Sequence, residues 1–148
     1  MRIIGFNFTK VSAERAADFV PGSEINTNID FIEIEKEETD LAKDNNEAIR
    51  VSFQFNVFYR RKEKKEKEKG QKNGEISLTG FIILLAPKEE AKELYKYWKK
   101  KELPASFKVP IFNFLLKKCS TRALQLEEEL NLPLHIPMPR LKQSQEEK

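Results

Sequence analysis

Two side chains occur once each and are the first places to look for chemistry: His135 and Cys119. His135 lies between Leu134 and Ile136, with prolines on either side. Acid–base catalysis needs an oriented partner for the imidazole, and the local sequence offers none, so His135 reads as structural. Cys119 follows Leu115 and Leu116 in an amphipathic pattern, with nothing nearby to lower a thiol pKa, so it reads as a small buried hydrophobe. One cysteine and one histidine cannot make a zinc set. None of the five glycines belongs to a phosphate-cradling GxxxxGK or GxGxxG loop. Asp and Glu are abundant but are interleaved with Lys in solvated patterns. The sequence therefore predicts no catalytic residue, no metal site and no cofactor: a binding protein, not an enzyme.

The second chemical feature is charge. Residues 60–74 hold eight Lys or Arg against three Glu, whereas the whole chain carries only +3. One loop thus supplies the entire basic excess, and the remaining body is slightly acidic. Basic hairpin loops can contact phosphates, which makes nucleic acid the alternative partner. Against that, Glu63, Glu66 and Glu68 interrupt the run, and it contains no aromatic on which a base could stack. A solvated hairpin tip over 61–72 is the better reading, and it is expected to be dispensable.

A chain of 148 residues that is 39% hydrophobic and 34% charged fits one domain with one core. The longest apolar run, 81–86, has the length of a strand and falls far short of the roughly 20 residues a bilayer requires. The N-terminus shows no apolar signal-peptide region, and a lone cysteine allows no intrachain disulfide, so the expected compartment is the cytoplasm.

The elements that must position these residues follow from periodicity. Ile4, Phe6 and Phe8 alternate with polar or small residues and predict a first strand over 2–11, with a helical turn starting at Ser12. Pro21-Gly22 marks a turn. A second strand over 25–37 shifts its apolar phase between Phe31 and Ile32, which predicts a bulge or a strand apolar on both faces. A polar loop over 39–46 follows. Val51, Phe53, Phe55, Val57 and Tyr59 alternate with Ser52, Gln54, Asn56, Phe58 and Arg60, giving the clearest strand, with one core face. Asn73-Gly74 reads as a turn leading into a fourth strand over 75–85. Pro87 opens a helix with Glu early and Lys late, as the macrodipole favours, and an Ala91–Leu94–Tyr95–Trp98 stripe. A longer helix runs from Pro104 or Val109 to Leu130, with Pro110 starting or kinking it. Its apolar side carries Ile111, Leu115, Cys119, Leu126 and Leu130. The three prolines in 132–139 preclude helix and central strand, so this segment is expected to be an extended strap. Four strands followed by two helices indicate an α+β fold with the helices on one face of an antiparallel sheet.

That arrangement leaves apolar residues without an obvious place. Phe58, Phe81, Ile83 and Leu85 fall on the phase opposite the main core. The second strand adds either Ile29 and Phe31 or Ile32 and Ile34 to that face. A second apolar face implies a homo-oligomer that buries it, a surface that accepts other apolar chains, or both. An adaptor for one dedicated partner is a further reading. The expected peptide-binding residues are Phe58, Phe81, Ile83, Tyr97, Trp98, Leu134 and Ile136.

Three stretches resemble the SecB family of export chaperones. "GEISLTGF" is similar to its last strand, through Leu78-Thr79-Gly80. "LPASFKVPIFNFLLKKC" resembles the opening of its main helix, through Phe107, Pro110 and Phe112. "LNLPLHIPMPRL" resembles its extended C-terminal segment, through Leu132, Pro133, Leu134, Ile136 and Pro137. The resemblance implies an α+β, SecB-like domain over 1–141, with a four-stranded antiparallel sheet in the order 1-4-3-2 followed by two helices. It implies a dimer of dimers that binds unfolded polypeptides in hydrophobic grooves without ATP, serving protein export. Residues 142–148 are expected to be a polar, disordered tail. Two departures bear on delivery. SecB proteins are markedly acidic, which suits docking to the SecA translocation motor, whereas this chain is basic. The tail, ending Gln145-Glu-Glu-Lys148, shows no motor-binding signature.

Overall fold

The computed structural model describes residues 1–62, 72–139 and 141. Four long strands, β1 (Arg2–Arg15), β2 (Glu24–Glu37), β3 (Asn46–Arg60) and β4 (Lys72–Pro87), precede two helices, α1 (Lys88–Lys99) and α2 (Ala105–Glu129). The strands form one antiparallel sheet in the order β1-β4-β3-β2. The α+β architecture and the 1-4-3-2 order expected from the resemblance are those observed.

The period-two pattern of β3 determines the middle of the sheet. Val51, Phe53, Phe55, Val57 and Tyr59 are fully buried, and across the register so are Ile82, Leu78 and Ile76 of β4. Gly80 stands opposite Phe53. A Cβ at Gly80 would meet the Asn7 carbonyl oxygen at 2.2 Å and the Phe53 ring at 3.1 Å. Glycine is therefore required for β1 to close on β4 beside that ring, which then stacks on Phe6 at 5.9 Å.

Several expectations change. No helical turn starts at Ser12. The chain stays extended through Arg15, because residues 12–15 continue the ladder opposite Ser77 to Gly74, and ladder bonds outweigh an isolated helical turn. The phase shift in β2 is a bulge at Ile32. The extra residue returns Ile34 to the side that buries Ile29, so β2 adds Ile29 and Ile34 to the core and leaves Ile32 49% exposed. Asn73-Gly74 is not a turn but the start of β4. The buried Asn73 side chain accepts from the Val20 N–H at 3.1 Å and donates to the Val20 carbonyl at 2.7 Å. Only the ends of the expected 61–72 tip, residues 61, 62 and 72, lie among the described residues. Arg61 pairs with Asp18 at 2.8 Å, and Lys72 pairs with Glu14 and Glu75, so both ends are anchored. The expected tip and tail, 63–71 and 142–148, lie outside the described residues.

Both helices end in the same way. In α1, Lys101 takes φ 56° while the Glu102 N–H reaches the Tyr97 carbonyl. In α2, Asn131 takes φ 53° while the Leu132 N–H reaches the Glu127 carbonyl at 2.8 Å. These are Schellman endings, which satisfy carbonyls that the helix leaves open. Pro110 lies inside α2, whose helical assignment runs on through it. The buried stripe of α2, Phe107, Ile111, Leu115, Cys119 and Ala123, recurs every four residues and continues to Glu127. Among the described residues beyond Leu132 the chain is neither helix nor strand, as the prolines require.

Candidate functional site

The sheet has two unlike faces. On the helix side, α1 inserts Ala91 and Leu94 into the core, and α2 sets the Phe114 ring edge-on against Phe6, which stacks on Phe53. Trp98 is half-buried. Its Nε1–H donates to Glu33 at 3.1 Å, and the Lys101 ammonium lies 3.8 Å from its ring centroid. Trp98 therefore pins α1 to β2. Tyr97, next along the helix, is 38% exposed and lines an open cleft of about 330 Å³ with Ile49, Leu94 and Phe107. The strap presents Leu134, Ile136 and Met138 at 41%, 37% and 52% exposure, and Val109 on α2 stands at 53%.

The opposite face carries the other expected residues. Phe81 faces Ser52 and Ile83 faces Arg50, whose guanidinium lies 3.7 Å from the Phe81 centroid and pairs with Glu37 at 3.0 Å. Phe58 faces Glu75, with the Arg60 guanidinium 5.5 Å from its centroid. From Phe58 to the Phe81 partner Ser52 is six residues of strand, or about 20 Å. Between them lie Gln54, Asn56, Ser77 and Thr79, with Gln54 donating to the Ser77 hydroxyl. This face is therefore apolar at the Phe81–Ile83–Leu85 end and polar across its middle.

Of the seven expected residues, Tyr97, Trp98, Leu134 and Ile136 lie on the helix side, and Phe58, Phe81 and Ile83 on the other. One groove joining all seven is not what the sheet builds. It separates them because β3 and β4 alternate sides, so opposite phases of the same strand cannot share a surface.

The structure also assembles a polar cluster that periodicity did not suggest. The fully buried Glu127 carboxylate accepts from the Tyr59 hydroxyl, from the His135 backbone N–H at 2.9 Å, and meets His135 Nδ1 at 2.7 Å. The His135 ring packs edge-on against Phe55, with centroids 6.0 Å apart. Burial first, and then the Glu127 carboxylate, holds the Tyr59 phenol well above its usual range. His135 Nε2 is buried and has no hydrogen-bond partner among the described residues. A signal for Glu127 did exist: it occupies the next four-residue step after Ile111, Leu115, Cys119 and Ala123, where the stripe calls for an apolar residue. Cys119 is fully buried, and desolvation pushes its thiol up to about 12.

Among the described residues, no group of three or more His, Cys, Asp or Glu is placed to hold a metal ion, and no helix is long and apolar enough to cross a membrane. No protein-family model matches the chain, and no curated protein matches it. Among solved structures, the chain is similar to a SecB-like chaperone of Mycobacterium tuberculosis, solved in complex with a peptide from an antitoxin. The two share 15% identity with a TM-score of 0.47, over 97% of this chain and 91% of the other.

Proposed function

We propose that this protein holds unfolded polypeptides without nucleotide and without catalysis, as a homo-oligomer. The observation that carries the reading is the set of large apolar side chains that α1, α2 and the strap leave in solvent: Tyr97, Val109, Leu134, Ile136 and Met138. Such side chains are ordinarily covered when they occur together. Aromatics and flexible aliphatics suit varied partners, since they bury area without requiring fixed geometry. In this reading clients contact Tyr97, Leu134 and Ile136, Trp98 supports them by fixing α1, and the Phe81–Ile83 end of the other face joins copies of the chain. The sequence resemblance to SecB supports client holding and assembly in general. The buried state of Cys119 and of the Glu127 cluster supports a non-catalytic role, because neither presents a group to a substrate.

The test is to dilute a chemically denatured client into buffer with and without an excess of the protein, and follow light scattering. Aggregation should slow without ATP. Tyr97→Ala with Ile136→Ser should weaken protection several-fold, and Phe81→Ala should change assembly more than protection. Aggregation as fast as in buffer alone would sink the reading.

A further inference from the structure

We propose that residues 133–139, beyond the buried Leu132, form a movable cover beside the client surface, closed by a polar catch on the Glu127 carboxylate. The inference rests on the client-holding reading above and adds its regulation. Beyond Leu132, the hydrogen bonds of this segment to the rest of the described chain all end on Glu127, from the His135 N–H and His135 Nδ1. Its apolar side chains do little to hold it, since Leu134, Ile136 and Met138 remain exposed at 41%, 37% and 52%. Past the anchor made by the buried Leu132 and the Arg15–Asn131 hydrogen bond, a segment fastened only at His135, with Leu134, Ile136 and Met138 outside, is set to move as a unit.

The catch has the physics of a two-state contact. A buried carboxylate is tolerable only while its donors are in place, so the Tyr59 hydroxyl and the two His135 groups support one another. Losing one donor leaves the carboxylate under-solvated and weakens the rest. The closed state also leaves His135 Nε2 buried without a partner, which water would satisfy on opening. The unsatisfied nitrogen thereby lowers the cost of opening. Opening withdraws the His135 ring from the Phe55 edge and adds β3 rings to the apolar surface already offered. A client that binds this enlarged surface shifts the balance towards open.

The experiment is amide hydrogen exchange on the full chain, comparing 133–139 with 46–60. Wild-type strap amides should exchange without the β3 amides. Tyr59→Phe and His135→Ala should each accelerate strap exchange at least tenfold more than they accelerate β3 exchange, and raise the amount of denatured client held. Using both variants protects the test if one fails to fold. Strap amides that exchange only together with β3 would overturn the catch. Faster strap exchange with unchanged client holding would overturn the cover. If wild type and variants hold no client at all, the client reading falls, and strap exchange still decides whether the catch exists.

Discussion

The Cys119 thiol shows what burial does to a reactive group. Its pKa is pushed up to about 12 by desolvation, so the thiolate, the nucleophilic form, is scarce wherever the chain is folded. Iodoacetamide at pH 8 should leave the native protein unlabelled and modify it fully after denaturation, as read by intact mass. The linkage has a definite sign. A thiol pKa raised in the native state contributes stability that is complete below its unfolded value of about 8.5 and is lost as pH rises towards 12. Tyr59 illustrates the complementary case of a buried group that must be paired. Tyr59→Phe keeps the ring and removes only the donor to Glu127, so it should cost roughly 1–3 kcal/mol in urea unfolding, with the m-value unchanged. Of this cluster, His135 was conspicuous in the sequence as a lone histidine, and its structural role is the one expected. Glu127 was masked by its acidic neighbours Glu128 and Glu129, and only its place at the next four-residue step of the α2 stripe set it apart.

The elements depend on a few positions where the backbone has no freedom. Gly80→Ala would place a methyl 2.2 Å from the Asn7 carbonyl oxygen, so β1 must move off β4. The loss should reach about 3 kcal/mol or more, the scale of a severe core defect, and β1 amides should lose exchange protection first. Pro110 gives the opposite sign. It interrupts α2 in its second turn and is exposed, so Pro110→Ala restores a helical N–H and relieves the ring clash without touching the core. It should stabilise the protein by about 2 kcal/mol after the greater freedom of the unfolded chain is set against it, seen as a higher melting temperature. Helix and strand types were legible because their periods of 3.6 and 2 differ. Strand ends were not: residues 12–15 and 73–74 look like turn sequence by themselves and become strand only because a partner strand supplies hydrogen bonds.

At the scale of the molecule, the two faces of the sheet make separate predictions. Light scattering or sedimentation at micromolar concentration should find an oligomer, and Phe81→Ala with Ile83→Ser should shift it towards the 17.3 kDa monomer. A wild-type monomer at that concentration would contradict the assembly. Because Arg50 lies over Phe81 and pairs with Glu37, the contact between copies should include charge and weaken as salt is raised.

The sequence by itself determined the fold class, the strand and helix types, the apolar phase shift in β2 and the identity of the core on β3 and β4. These follow from local periodicity and from the backbone restrictions of proline and glycine, which act within a few residues. Only the tertiary structure decided which apolar residues share a surface. Phe58 and Phe81 share a face yet are separated by a hydrogen-bonded polar band, and Tyr97, Leu134 and Ile136 lie on the other side of the sheet. It alone brought Tyr59, Glu127 and His135 together, from positions as far apart as 76 in the chain. Such contacts are fixed by the register between strands and the direction in which α2 returns over the sheet, and neither is encoded in the spacing of residues along one element.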